Sequence, residues 1–124
     1  MSKESDSRIS NKDKRYLKLA KNIALSSKER RKHGAVIVKS NRVLSVGINK
    51  FRNHPDIIPE SMIKKSCSTH AEIDALKKIN YDAKNATIYV ARVNNNGQPM
   101  LSRPCNNCYI AIKDAGVKNI VYTD

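Results

Sequence analysis

The sequence has no tryptophan and one phenylalanine, and only four glycines, four prolines and three cysteines. So little glycine and proline excludes a collagen-like or low-complexity chain. Three cysteines, an odd number in a chain of cytosolic character, argue against a disulfide framework. No run of 18 apolar residues occurs, so no helix is expected to span a membrane. The opening stretch MSKESDSRISNKDKRYLK is polar and lacks the apolar segment of a secretory signal, which places the chain in the cytoplasm as an expectation. Aromatic residues, one Phe and five Tyr, are too scarce to suggest a platform for stacking single-stranded bases. Acidic residues are also few. Eleven stand against 24 Lys and Arg, leaving a net charge of +13. Such a surplus suits an anionic partner, either a nucleotide phosphate or a nucleic acid. It is equally what a Lys-, Asn- and Ile-rich composition yields from AT-rich coding, whatever the function.

What is present is enough for one core. The chain has 124 residues, 40% of them apolar and 28% charged, ordinary proportions for a single globular domain. Residues 1–10 read as a polar tail and 11–124 as the domain. From Asn11, the apolar positions Tyr16, Leu17, Leu19, Ala20, Ile23 and Ala24 predict a helix ending near Ser26 and Ser27. HGAVIVKSNRVLSVGIN predicts a β-hairpin over 34–49, turning at Ser40 and Asn41. Residues 50–68 read as a long loop with a helical turn near 59–65, a length that points to function. A helix follows over 70–79 with Thr69 as its N-cap. A strand over 86–93, a turn over 94–100, a helix over 104–115 stopped by Gly116, and a strand over 117–122 complete the order. The α-β-β-α-β-α-β succession predicts an α/β layered fold with a mixed sheet.

Two short stretches carry chemistry, His70-Ala71-Glu72 and Pro104-Cys105-Asn106-Asn107-Cys108. Cys105 and Cys108 are three apart and share a helix face, and the positive end of the helix should favour their thiolates. Two thiolates and the His70 imidazole make three ligands for zinc. His33 and His54 fit no zinc-motif spacing, and Cys67 reads as a small buried apolar residue. A three-ligand site leaves a position open for water, and Glu72, two residues from His70, is placed to move its protons. A lone C-x-x-C also serves redox pairs and zinc knuckles, and a lone H-x-E carries no information. The two in this order, each opening a helix with Pro104 before the first cysteine, point to a catalytic zinc site.

H-A-E followed by P-C-x-x-C resembles the zinc deaminases, whose signature has this form. The resemblance to the cytidine and deoxycytidylate deaminase superfamily runs from about His33 to Tyr122. It implies a three-layer cytidine-deaminase-like fold, with a central mixed sheet formed by the hairpin and the following strands and with helices on both faces. It implies Zn2+ on His70, Cys105 and Cys108, with Glu72 as the proton carrier. It further implies that Asn49, at the end of the second hairpin strand, meets the substrate sugar, and that Ala35 and Ala71 lie at the base. Asp74 stands where deoxycytidylate deaminases often carry asparagine. The expected reaction removes the exocyclic amine of a cytosine nucleoside or nucleotide and releases ammonia. The alternatives are a base in RNA, as in tRNA adenosine deaminases, or in single-stranded DNA, and a silent zinc module that only binds nucleic acid. Glu72 argues against the last, because a structural zinc site has no use for it. Relatives pack as dimers, tetramers or hexamers, so a homo-oligomer is expected. Arg103, just before Pro104, reads as a surface residue or a phosphate contact.

Overall fold

The computed structural model describes residues 2–5, 10–29, 31–51 and 68–123. The proposed helical turn at 59–65, most of the 50–68 loop, His54 and Cys67 lie outside the described residues.

Helix α1 spans Asn11–Leu25, with the Ser10 side chain accepting from the Asp13 N–H at 3.2 Å as its N-cap. Its Tyr16, Leu17, Ala20 and Ala24 turn inward, as the stripe predicts. The hairpin forms from β2 (Lys32–Lys39) and β3 (Arg42–Ile48). Ser40 and Asn41 both adopt positive φ, 52° and 62°, the two-residue turn whose twist matches the strands it joins. β4 (Lys50–Phe51) pairs antiparallel with β5 (Ser68–Thr69) in a ribbon of its own. Helix α2 (Ala71–Lys77) follows, then β6 (Thr87–Val93), β7 (Pro99–Met100), α3 (Asn106–Asp114) and β8 (Asn119–Tyr122). The element preceding α1 is a strand, β1 (Ser2–Ser5).

The sheet runs β1-β8-β6-β2-β3, with β7 also on β6. β6 is antiparallel to β2, and β2 to β3, whereas β8 is parallel to both β6 and β1. The mixed sheet expected from the element order is therefore present. Two features depart from expectation. The stretch read as a polar tail supplies β1, which takes the ladder positions that β8 would otherwise leave unpaired. The stretch read as a turn, 94–100, ends in β7, which folds back to pair with Arg92 and Val93. Neither the polar β1 nor the two-residue β7 carries a side-chain pattern that announces it, because ladder pairing is made by backbone groups.

Alternation in β2 splits the core into two layers. Val36 and Val38 join Tyr89, Ala91 and Val121 against α1. Ala35 and Ile37 join Ile88, Val90 and Ile120 against Ala71, Ala75 and Leu76 of α2 and Cys108 and Ile112 of α3. Helices thus cover both faces. Contact on the second face is very close at Gly47, where an added Cβ would lie 2.1 Å from the Ala71 carbonyl oxygen. Only glycine lets β3 approach α2 so closely. Among the described residues no helix is long and apolar enough to cross a membrane.

Candidate metal centre and active site

Both motif histidine and motif cysteine turn out to be helix caps rather than helix residues. His70, not Thr69, is the N-cap of α2, with extended backbone (φ −71°, ψ 150°). Thr69 is held as a strand residue opposite Lys50, which removes it from the cap position. Cys105 is the N-cap of α3 (φ −68°, ψ 167°), so this helix starts at Asn106, two residues later than Pro104 predicted. The delay has a cause in the segment before it. The buried Ser102 hydroxyl donates to the Val90 carbonyl at 2.8 Å, and its N–H donates to the Thr123 carbonyl at 3.0 Å, fastening the chain to the sheet end. Neither His70 nor Cys105 uses its side chain to cap its own helix. Both are left free to turn toward each other.

They do so around Cys108. The His70 Nδ1 lies 3.1 Å from the Cys108 sulfur and 3.8 Å from the Cys105 sulfur. The three ligand atoms all fall within 4.8 Å of one another. Tetrahedral zinc, with bonds of about 2.0 Å to nitrogen and 2.3 Å to sulfur, would space its ligand atoms by about 3.6–3.8 Å. The trio therefore fits zinc, and two soft sulfurs with one imidazole are the donors zinc favours. Burial, with the nearby Glu72 and Cys105, pushes the Cys108 thiol well above the ordinary cysteine range. A bound dication would reverse the balance by stabilising the deprotonated sulfur.

Glu72 is 4% exposed, in the first turn of α2. Burial raises its carboxyl above the usual range, outweighing the backbone N–H, His70 and Cys108, which act the other way. A carboxyl raised in this way holds a proton more readily than an exposed glutamate does. It lines a pocket of about 280 Å³ together with His70, Ala71, Cys105, Asn49 and His33, with Arg31, Ser102 and Arg103 completing the wall. Asn49 and Ala71 both line this pocket. The Asn49 amide oxygen accepts the His33 N–H at 2.9 Å, and its amide nitrogen donates to the Arg31 carbonyl, which leaves one amide N–H uncommitted among the described residues. Ala35 does not line the pocket. It is fully buried in the core layer with Ile88 and Val90, packed under Ala71 and Cys108 as a spacer.

Three lining residues, His33, Arg31 and Ser102, escaped the sequence reading. His33 was set aside because it fits no zinc spacing, yet β2 alternation places it on the site face with Ala35 and Ile37, a signal that was readable. Burial first, then Arg92, His70 and Arg31, draws its imidazole down to about 4, so it is neutral at pH 7. Arg31 precedes the strand in an unpatterned charged stretch and gave no signal.

A trio of zinc ligands, two of them lining a pocket with a buried carboxyl, on an α/β/α frame, defines a zinc-dependent hydrolytic deaminase. Comparison with known proteins agrees. The family model of the cytidine and deoxycytidylate deaminase zinc-binding region matches residues 10–124, and the chain belongs to that family, with Zn2+ as its metal. The fold is similar to the dCMP deaminase of the cyanophage S-TIM5, crystallised in complex with dCMP and dUMP. Identity there is 23% and the TM-score 0.68, over 93% of this chain and 83% of that one. Acinetobacter baumannii RibD shares 25% identity at a TM-score of 0.58, over 90% of this chain and 27% of that one. Mycobacterium tuberculosis cytidine deaminase shares 17% at 0.55, over 83% and 79%. No curated protein sequence matches the chain significantly.

Proposed function

We propose that the protein deaminates a free cytosine nucleotide or nucleoside, releasing ammonia, with His70, Cys105 and Cys108 holding the zinc. The observation that carries this reading is the small pocket of about 280 Å³, which matches one nucleoside and is lined by Glu72, Asn49 and the ligands His70 and Cys105. Zinc, when bound, supplies a Lewis acid that makes water a nucleophile at neutral pH. Glu72 takes a proton from the attacking water and delivers it to the ring nitrogen beside the amine-bearing carbon, then takes the remaining proton of the added hydroxyl and passes it to the departing amine as the carbonyl forms and ammonia leaves. The free Asn49 N–H meets a sugar hydroxyl, and Ala71 lies against the base. Arg31 and Arg103, both lining the pocket, provide the positive charge for a 5′-phosphate, which favours a nucleotide. A reduced compartment such as the cytoplasm, where thiols stay free to bind metal, suits this site. Val43, Leu44 and Val46 on the edge strand β3 are 36–41% exposed, an apolar surface consistent with a homo-oligomer, to be tested by light scattering.

Ammonia release from a panel of cytidine, CMP, dCMP, adenosine and oligonucleotides tests the substrate. Turnover of a cytosine mononucleotide with a shallow salt dependence is expected. Activity on an oligonucleotide alone, weakening with a log–log salt slope of roughly −0.7 per phosphate, would overturn the proposal in favour of the nucleic-acid partner that the +13 charge allows.

A further inference from the structure

Asp74 has no part in the chemistry above, yet it is 6% exposed and three charged or polar partners converge on it. Its Oδ2 accepts the Ile48 N–H at 3.0 Å and lies 3.3 Å from the Lys78 Nζ, while its Oδ1 lies 3.3 Å from the Lys50 Nζ. Ile48 and Lys50 are the two chain neighbours of Asn49. Asp74 is two residues from Glu72 on α2. One carboxylate therefore grips the backbone on one side of Asn49 and the side chain on its other side. It does so from the same helix turn that presents the proton carrier.

We propose that Asp74 is a positioning residue that fixes the distance between Asn49 and Glu72, and so sets how the substrate sugar is held relative to the reacting ring. Three further ties show that this junction is built rather than incidental. The β4–β5 ribbon begins just after Asn49 and ends just before His70, bringing the two together across the 52–67 segment. Lys78 also donates to the Val46 carbonyl at 2.9 Å, and the Ser45 hydroxyl to the Ala75 carbonyl at 2.8 Å, so α2 is bound to β3 along its length. On its far side, Asn49 is held by the His33 N–H and the Arg31 carbonyl. Asp74 supplies the hold on the near side. The charge is in place at neutral pH. Burial opposes it, and the Ile48 N–H, Lys78 and Lys50 outweigh burial.

The inference rests on the reading of Asn49 as a sugar contact, and its test separates the two. In the zinc-loaded protein, Asp74→Ala should raise KM for the mononucleotide about tenfold while kcat changes less than about threefold, since ground-state placement is lost and the proton carrier remains. Asp74→Asn, which keeps an oxygen for the Ile48 N–H, should recover most of the loss. In an Asn49→Ala background, Asp74→Ala should add less than about twofold, because the two act as a unit. Amide hydrogen exchange at Ile48 should quicken at least about tenfold in Asp74→Ala. A variant that lowers only the melting temperature, or whose KM effect adds in full to that of Asn49→Ala, or whose Ile48 exchange is unchanged, would overturn the inference. If wild-type protein releases ammonia from nothing in the panel, the substrate reading fails, and the Ile48 exchange still decides whether Asp74 clamps this junction.

Discussion

Gly47→Ala is a one-methyl change with a large consequence. The added Cβ would sit 2.1 Å from the Ala71 carbonyl oxygen, 2.6 Å from the Ala75 nitrogen and 2.9 Å from the Ala75 Cβ. Ordinary contact begins near 3.4 Å, so β3 and α2 must separate by roughly 1 Å. No rotamer relieves this, because the two closest atoms belong to the backbone. Overpacking of this kind costs about 1–3 kcal/mol, and the absence of a yielding side chain puts Gly47→Ala at the upper end. For a domain of this size that lowers the melting temperature by about 5–10 °C. The functional effect should be the larger one. α2 starts at His70 and carries Glu72, and a shift of roughly 1 Å in catalytic groups can reduce turnover about 10²-fold. Gly97→Ala is the control. Its φ of +80° brings backbone strain of about 1 kcal/mol, but the nearest atom to the new methyl is the Leu25 Cδ2 at 3.6 Å, far from the pocket. Thermal melting, zinc content and ammonia release would be compared for the two. Gly47→Ala melting within about 2 °C of wild type with full turnover would refute the close approach of β3 to α2.

Cys105→Ala should lose most of its zinc by elemental analysis and melt earlier, because the metal joins two helix starts 35 residues apart in sequence; full zinc retention would remove the ligand assignment. Glu72→Gln should keep zinc and fold yet lose about 10²–10⁴-fold in turnover, and near-normal rates would sink its role as proton carrier. His33, whose folded pKa is depressed to about 4 from 6.5, contributes stability that is present above pH 6.5 and lost as pH falls toward 4, since the unfolded chain takes up the proton first. His33→Gln should therefore show a shallower decline in melting temperature over that window, and parallel pH curves for the two proteins would count against a neutral buried imidazole.

The sequence alone determined the local features. The apolar stripe fixed α1, apolar runs rich in β-branched residues on either side of Ser40 and Asn41 fixed β2 and β3, and the spacing of His70-x-Glu72 and Pro104-Cys105-x-x-Cys108 specified a zinc site before any contact was known. These are properties of neighbours in the chain, which a 3.6- or 2-residue period records directly. Gly116, at φ 89°, ends α3's turn as its position foretold, for the same reason.

Tertiary structure decided what depends on pairing between distant segments. β1 is polar and β7 only two residues long, and both are held by backbone hydrogen bonds, which leave no pattern in side chains. The same limit hid the caps. Whether Thr69 or His70 ends its strand depends on Lys50, 19 residues away, and whether α3 starts at Pro104 or Asn106 depends on Ser102 being anchored to Val90 and Thr123. Ala35 and His33 lie two apart on one strand face, yet one is core and the other lines the pocket, because α2 and α3 cover the first and leave the second open. Asp74 looks in sequence like any helix-surface carboxylate. Only the fold, by laying β3 against α2 at Gly47, brings Ile48 and Lys50 within its reach.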